Sequence, residues 1–182
     1  MIIMRLDELL NDAGSGMEVT VWSSNMRAAV EGITDNTNEV AAGFIFVCIK
    51  GTKFDGHDAA EDMLKKGALC VVAEYDLGLE NQIVVSDTRE FYGRLCATWF
   101  NHPERRMKLV GVTGTNGKTT LATMIKEVLE RKGHRVGFIG TTGTTIGGKP
   151  VQTDSSTPTT PRAYELYKLF YDMAKSGCDT VV

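Results

Sequence analysis

Cysteine is scarce in this 182-residue sequence, and its four residues lack the spacing of a metal-binding or redox pair. Cys48 and Cys70 lie in apolar, strand-like runs, where a buried free thiol is the usual role. No basic segment followed by an apolar core opens the sequence, and no apolar run approaches the ~18 residues of a membrane span. We therefore expect a cytoplasmic protein with no membrane span.

A strong charge of either sign is also missing. The formal net charge is −3, so general affinity for nucleic acid is not expected. Any anion site must be local and built from backbone amides with a few Lys or Arg side chains. The apolar share of 42% and the charged share of 24% are typical of a globular protein. The length suits one large domain or two small ones.

The apolar runs predict an α/β fold in two units, residues 1–105 and 106–182. In the first unit Leu6, Leu9 and Leu10 indicate a short helix, and Asp87 or Thr88 can cap another that runs to about Phe100. Its further predicted elements are strands at 44–49, 68–73 and 82–85 and a helix at 57–66. The polar run 102–106 contains a proline and predicts a linker.

The second unit is predicted as a parallel α/β domain. Its predicted strands are 109–112, 135–139 and 179–182, and its predicted helices are 118–131 and 162–176. Residues 140–161 are rich in Thr, Gly, Ser and Pro and predict a long functional loop. The sheet stops inside its third strand, and Asp179 precedes that strand instead of following it, so no acidic partner for magnesium is evident. We expect the chain to be part of a longer enzyme.

The segment G-V-T-G-T-N-G-K-T-T at residues 111–120 lies between a strand-like and a helix-like run. Such a turn points backbone N–H groups and the positive end of a helix dipole at one spot, which suits phosphate. Gly114 and Gly117 allow close approach of the backbone. Lys118 supplies a cation for the terminal phosphates, and Thr119 supplies a hydroxyl for magnesium.

One position departs from the common phosphate-loop pattern G-x-x-x-x-G-K-[ST]. Val112 occupies the place of its first glycine. The alternative is a structural glycine turn with an exposed Lys118. The strand before the turn and the helix after it favour the phosphate loop.

The motif at residues 110–120 resembles the ATP loop of the Mur ligases, which build the peptidoglycan stem peptide. Within that family the chain is most similar to the members that add the third residue. Three further segments carry the resemblance: residues 34–56 with T-D-N-T, G-F-I-F-V and G-T-K-F-D-G, residues 137–141 with G-F-I-G-T, and residues 159–161 with T-T-P. The resemblance covers essentially the whole chain, as the N-terminal portion of a longer protein. It implies an N-terminal UDP-binding α/β domain, followed by the first part of a P-loop ATPase-type parallel α/β domain.

The resemblance implies ATP-dependent amide formation. The terminal carboxylate of the stem attacks the γ-phosphate of ATP to give an acyl phosphate, and an amino acid then displaces phosphate. The implied cofactors are ATP and Mg²⁺. The implied substrates are UDP-N-acetylmuramoyl-L-alanyl-D-glutamate and an amino acid, either lysine or meso-diaminopimelate. As the N-terminal portion of such an enzyme, the chain is expected to have no ligase activity alone.

The resemblance also assigns residues to the ligands. The implied ATP-binding residues are Gly114, Thr115, Asn116, Gly117, Lys118, Thr119 and Thr120. Lys118 would stabilise the transferring phosphoryl group, and Thr119 would contact magnesium. Thr159 and Thr160 match positions that contact the muramoyl peptide, although a turn before a helix is the alternative.

In the first unit, the implied uridine and diphosphate contacts are Thr34, Asn36, Thr52, Lys53 and Phe54. The sequence departs from the family here. Asn36 stands for the usual serine, Thr37 for the usual arginine and Phe44 for the usual aspartate. A plain surface loop is the alternative for each of these contacts.

Two other functions remain open from the sequence. One is a binding module for a UDP-sugar-peptide that does not bind ATP. The other is a small P-loop NTPase or kinase, which leaves the first hundred residues without a role. The histidines, His57, His102 and His134, have no metal-ligand spacing, so a solvated side chain is predicted for each.

Overall fold

The computed structural model describes residues 4–152 and 161–182. The chain forms two compact units, Met1–Trp99 and Phe100–Val182. The predicted linker at 102–106 is instead part of the second unit. There the 3-10 helix Pro103–Arg106 packs against the last helix of the chain.

The first unit is built on a five-stranded sheet. Its elements are β1 (Met4–Arg5), α1 (Leu6–Ala13), β2 (Val19–Trp22), β3 (Ala29–Val30), β4 (Gly32–Thr34), β5 (Phe44–Val47), a 3-10 helix (Gly56–Ala59), α2 (Ala60–Lys65), β6 (Cys70–Ala73), β7 (Gln82–Val85) and α3 (Thr88–Trp99). The strand order is β2-β7-β6-β5-β4, and β1 pairs with β3 in a separate ribbon. Strands β4 to β7 are parallel, and β2 joins antiparallel at one edge.

Continuous apolar sequence explains the centre of this sheet. All four residues of β6 are buried, as are Ile45, Phe46 and Val47 of β5, which is the pattern of parallel strands covered on both faces. The predicted opening helix is confirmed, and Leu6 and Leu9 are fully buried on it. Asp87 caps α3, because its Oδ1 accepts a hydrogen bond of 2.9 Å from the backbone N–H of Glu90.

The second unit contains β8 (Lys108–Leu109), α4 (Lys118–Arg131), β9 (Val136–Gly140), β10 (Gly143–Ile146), β11 (Lys149–Val151), α5 (Ala163–Lys175) and β12 (Thr180–Val181). The strand order is β11-β10-β9-β12-β8. Strands β9, β12 and β8 are parallel, so their carboxyl ends meet at one edge, where the glycine loop leaves β8. The two predicted helices of this unit are confirmed within one residue at each end.

The predicted long loop at 140–161 is wrong over residues 143–151. Strands β10 and β11 form a hairpin there that extends the sheet antiparallel to β9. Gly147 and Gly148 form its two-residue turn, with φ of 55° and 80°, the conformation that tight hairpins require. Threonine is common in loops, but its β-branched side chain also favours strands, as at Thr144 and Thr145.

Three further elements differ from prediction. The helix expected at 57–66 begins as a 3-10 turn and becomes α-helical only at Ala60. The strand expected at 109–112 pairs regularly only to Leu109, although the Val110 amide still donates to the Val181 carbonyl at 2.8 Å. The short strands β1 to β4 were not predicted. All four cysteines are buried and free, which was predicted for Cys48 and Cys70.

In the part of the chain that the structure describes, no helix has the length and apolar character needed to cross a bilayer.

Candidate functional site

The glycine loop between β8 and α4 forms an exposed backbone cradle. Gly114 and Gly117 have φ of 150° and 76°, values that residues with a Cβ rarely adopt. Gly117 precedes the first residue of α4, and its carbonyl accepts the Leu121 amide at 2.9 Å. The first turn of α4, all of it described, has neither an acidic residue nor a capping side chain. Its free N–H groups and helix dipole therefore favour an anion.

Lys118 and Thr119 project from this first turn into one cleft. The Lys118 Nζ donates to the Gly114 carbonyl at 2.6 Å, so the ammonium group lies over the loop. The Thr119 hydroxyl is 2.8 Å from the hydroxyl of Thr141, which follows the end of β9. The cleft has a volume of about 110 Å³ and is lined by Val112, Lys118, Thr119, Ala122, Phe138, Ile139, Gly140, Thr141 and Val182.

Thr141 is a site residue that the sequence reasoning did not select. It lies 22 positions after Thr119, so local spacing could not place the two hydroxyls together. The signal that could have selected Thr141 is its position at the end of residues 137–141, one of the segments that carry the family resemblance.

Among its lining residues the cleft offers magnesium threonine hydroxyls and no carboxylate. Among the described residues there is no group of three His, Cys, Asp or Glu side chains that could bind a metal. A threonine hydroxyl next to a phosphate cradle does fit magnesium, because this ion takes a few protein oxygens and completes its shell with phosphate and water. Thr119 would supply that oxygen.

Asp179 takes no part in this cleft. It lies just before the amino end of β12, and its carboxylate accepts hydrogen bonds from the Arg135 amide at 3.0 Å and the Thr180 hydroxyl at 2.7 Å. The Thr180 hydroxyl, the Arg135 amide and His134 lower the pKa of Asp179 below its ordinary value. The carboxylate therefore joins two strands at the sheet edge opposite the glycine loop.

In the first unit, Thr34 and Asn36 lie at the carboxyl end of β4, in a turn with Glu39. The buried Thr34 hydroxyl donates to Glu39 Oε2 at 2.9 Å and accepts from the Asn36 amide at 3.0 Å. The Asn36 side-chain amide donates to Glu39 Oε1 at 2.9 Å. Thr34 therefore organises the turn from within, and Asn36 remains partly accessible.

The loop after β5 presents the other predicted contacts of this unit. Thr52, Lys53 and Phe54 are exposed at its tip, and Phe54 is 53% accessible. The Gly51 amide donates to the Phe54 carbonyl at 2.8 Å and closes a tight turn. Because β4 and β5 are parallel neighbours, this tip and the turn at Asn36 lie at the same edge of the sheet.

The structure also gives a physical setting for Phe44, one of the three departures from the pattern of the resemblance. Phe44 pairs with Gly32 across β4 and β5, and a Cβ at Gly32 would lie 2.6 Å from the phenyl ring. The ring therefore covers the glycine and forms a local packing contact between the two strands.

The prediction of a solvated His57 is wrong. Its side chain is 1% exposed, and its ring stacks on Tyr75 with centroids 4.8 Å apart. The ring is held by Asp55 on one nitrogen and by the Glu74 amide on the other. Position in the chain could not reveal this, because the second partner lies 17 residues away.

Two predicted contacts, Thr159 and Thr160, lie outside the described residues.

Each of the two units matches a protein-family model. A family model described as "Mur ligase middle domain" matches residues 112–182, and one described as "Mur ligase family, catalytic domain" matches residues 29–99. The two matches fall on the second unit, which contains the glycine loop, and on the first unit.

Individual relatives agree with these matches. The UDP-N-acetylmuramoyl-L-alanyl-D-glutamate--2,6-diaminopimelate ligase of Clostridium perfringens is 36% identical over 96% of this chain and 36% of its own length. The ligase of the same description from Alkaliphilus metalliredigens is 38% identical over 94% of this chain and 34% of its own length. A solved structure of such a ligase has a TM-score of 0.74 and 27% identity, over 98% of this chain and 35% of that one.

The fold and the glycine loop thus define a two-unit α/β protein with an exposed backbone cradle between β8 and α4. The chain belongs to the Mur ligase family, which confirms the resemblance seen in residues 110–120. It spans about a third of the length of the curated relatives it matches.

Proposed function

We propose that this chain supplies the precursor-binding and nucleotide-binding parts of an ATP-dependent amide ligase of peptidoglycan synthesis, working in the cytoplasm. The enzyme would join the third amino acid to UDP-N-acetylmuramoyl-L-alanyl-D-glutamate. The observation that carries the proposal is the convergence of Lys118 and Thr119 on one cleft beside an exposed glycine loop. The names of the relatives favour diaminopimelate as the amino acid.

The nucleotide part is residues 106–182 in this proposal. The amides of the loop from Gly114 to Thr120 cradle the phosphates of ATP. The Lys118 ammonium exchanges the Gly114 carbonyl for an oxygen of the γ-phosphate, where it offsets negative charge during phosphoryl transfer. The Thr119 hydroxyl, which lies 2.8 Å from the Thr141 hydroxyl, would hold magnesium. When bound, magnesium neutralises phosphate charge and orients the γ-phosphoryl group.

The precursor part is residues 1–105. The exposed tip with Thr52, Lys53 and Phe54 and the turn with Thr34 and Asn36 flank one edge of the sheet. Lys53 offers a cation to the diphosphate, and Asn36 offers amide hydrogen bonds to uracil. Thr159 and Thr160 are proposed to contact the muramoyl peptide, whose carboxylate accepts the phosphoryl group to form the acyl phosphate.

Two calorimetric titrations of the folded chain test this proposal, one with UDP-N-acetylmuramoyl-L-alanyl-D-glutamate and one with MgATP. The proposal predicts saturable binding of both ligands at one site each. Binding of the precursor alone would favour the binding module without ATP. Binding of MgATP alone would favour a small P-loop NTPase or kinase.

A further inference from the structure

The exposed loop after β5 is held by a closed ring of contacts at the carboxyl edge of the first sheet. We call this set the edge ring; its members are Lys50, Asp55, His57, Glu74, Thr88 and Arg89. Lys50 and Asp55 face each other as an isolated antiparallel bridge and form the two stems of the loop. The ring links the ends of three strands. Lys50 follows β5, Glu74 follows β6, and Thr88 and Arg89 follow β7.

One side of the edge ring is a contact from α3. The Arg89 Nη2 donates to the Lys50 carbonyl at 2.5 Å, so the guanidinium group satisfies the carbonyl of the first stem. Its neighbour Thr88 donates its hydroxyl to Glu74 Oε1 at 3.0 Å. The start of α3 is therefore tied both to the loop and to the end of β6.

The other side of the edge ring passes through His57. Its Nε2 accepts the Glu74 backbone N–H at 3.1 Å, which requires an unprotonated nitrogen there. The proton of a neutral ring is then on Nδ1, which donates to Asp55 Oδ1 at 2.6 Å. The same carboxylate accepts the His57 amide at 3.0 Å, and these bonds lower the pKa of Asp55.

The tip of the loop gains its shape from this ring and not from burial. Residues 51–54 are all exposed, while His57 is buried behind them. An exposed tip has little packing to hold it, so fixed stems reduce the number of conformations it can adopt, and a pre-ordered tip spares a ligand the entropic cost of ordering it. His57 is too buried to contact a ligand, so any effect it has on binding must act through the loop.

We propose that His57 and Arg89 are positioning residues that hold the tip at Thr52, Lys53 and Phe54 in the conformation that binds a nucleoside diphosphate. This inference rests on the proposed precursor site. It adds two residues whose role is to order the loop.

The main test compares two variants that each remove one guanidinium group from α3. Arg89→Leu breaks the edge ring. Arg94→Leu is the control, because Arg94 donates to Ser15 and Glu90 and lies outside the ring. Titration with UDP-N-acetylmuramoyl-L-alanyl-D-glutamate should show about tenfold weaker binding for Arg89→Leu and unchanged binding for Arg94→Leu. MgATP binding should be unchanged in both variants, and an equal effect of the two on precursor binding would overturn the inference.

Variants of His57 show whether weak precursor binding by Arg89→Leu comes from a disordered loop or from a lost direct contact between Arg89 and the ligand. His57→Gln keeps an acceptor near the Glu74 amide, and His57→Asn keeps a donor near Asp55, so each retains one of the two ring bonds. Both should bind the precursor several-fold more weakly than the wild type while remaining folded. Wild-type affinity in both folded variants would overturn the inference, even if Arg89→Leu binds weakly.

Hydrogen exchange of the ligand-free chain gives a readout that depends on neither precursor binding nor the folding of the His57 variants. The amides of Gly51, Gly56 and Glu74 should exchange faster in Arg89→Leu than in Arg94→Leu. Equal exchange in the two variants would overturn the inference. If the wild type fails to bind precursor while this difference is present, the proposed function fails and the ring's role in ordering the loop stands.

Discussion

At the scale of a single residue, Lys118 connects the proposed phosphate site to the glycine loop. Its ammonium group contacts the Gly114 carbonyl, a partner that a phosphate oxygen can replace. Lys118→Ala should therefore weaken MgATP binding by about 10- to 100-fold, the range for a lost hydrogen bond to a charged group. Precursor binding and the thermal midpoint should change little. Calorimetry checks this, with Lys132→Ala at the other end of α4 as the control.

Gly117 is needed for its backbone conformation. Its φ of 76° lies in the left-handed region, while an added Cβ would meet no atom within 4 Å. Gly117→Ala should lower the free energy of unfolding by about 1–2 kcal/mol through backbone strain alone. Gly111→Ala is the matched control, because it lies in the same loop with open space and no such φ. Urea unfolding measures both, and an equal cost for the two variants would contradict the argument.

At the scale of elements, β4 and β5 depend on the fit between Gly32 and Phe44. Gly32→Ala should destabilise the protein by about 1–3 kcal/mol, because its Cβ would clash with the phenyl ring. In a Phe44→Ala background the same substitution should cost less. A double-mutant cycle by urea unfolding measures the difference. Additive effects would show that the ring does not cover the glycine.

Asp179 joins β9 to β12, and we expect this junction to weaken in acid. Its pKa is lowered from 3.8 by the Thr180 hydroxyl and the Arg135 amide, so the folded protein favours the charged carboxylate. The resulting stabilisation is present above pH 3.8 and is lost as the pH falls through the lowered value. Asp179→Asn should therefore be less stable than the wild type at pH 7, with a difference that shrinks towards pH 3.

Urea unfolding followed by circular dichroism at several pH values checks this dependence. Glu127→Gln, on the exposed face of α4, serves as the control for removal of a carboxylate. A destabilisation by Asp179→Asn that is constant with pH would contradict the argument.

Elements with a strong local signal were predictable, and those that depend on distant pairing were not. The helix periodicity of α1 and α5 and the apolar runs of β5 and β6 gave correct elements because burial leaves its pattern in the sequence. The hairpin of β10 and β11 was missed because threonine and glycine suit both loops and strands. Pairing with β9 decides its state.

At the scale of the whole molecule, each unit carries its candidate site at the carboxyl edge of its own parallel strands. The glycine loop was predictable because its residues are contiguous, from Gly114 to Thr120. Thr141 and His57 were not, since each gains its partner only when separate strands come together. Contiguous motifs thus predicted the candidate ligand-facing groups, while the contacts of Thr141 and His57 became visible only in the fold.

The central claim, a nucleotide site in one unit and a precursor site in the other, can be tested by amide NMR titration of the 19.9 kDa chain. MgATP should shift the amides of residues 114–120 and leave those of 50–56 in place. UDP-N-acetylmuramoyl-L-alanyl-D-glutamate should shift residues 50–56 and leave 114–120 in place. Shifts by MgATP that avoid residues 114–120, or no shifts in a folded chain, would contradict the claim.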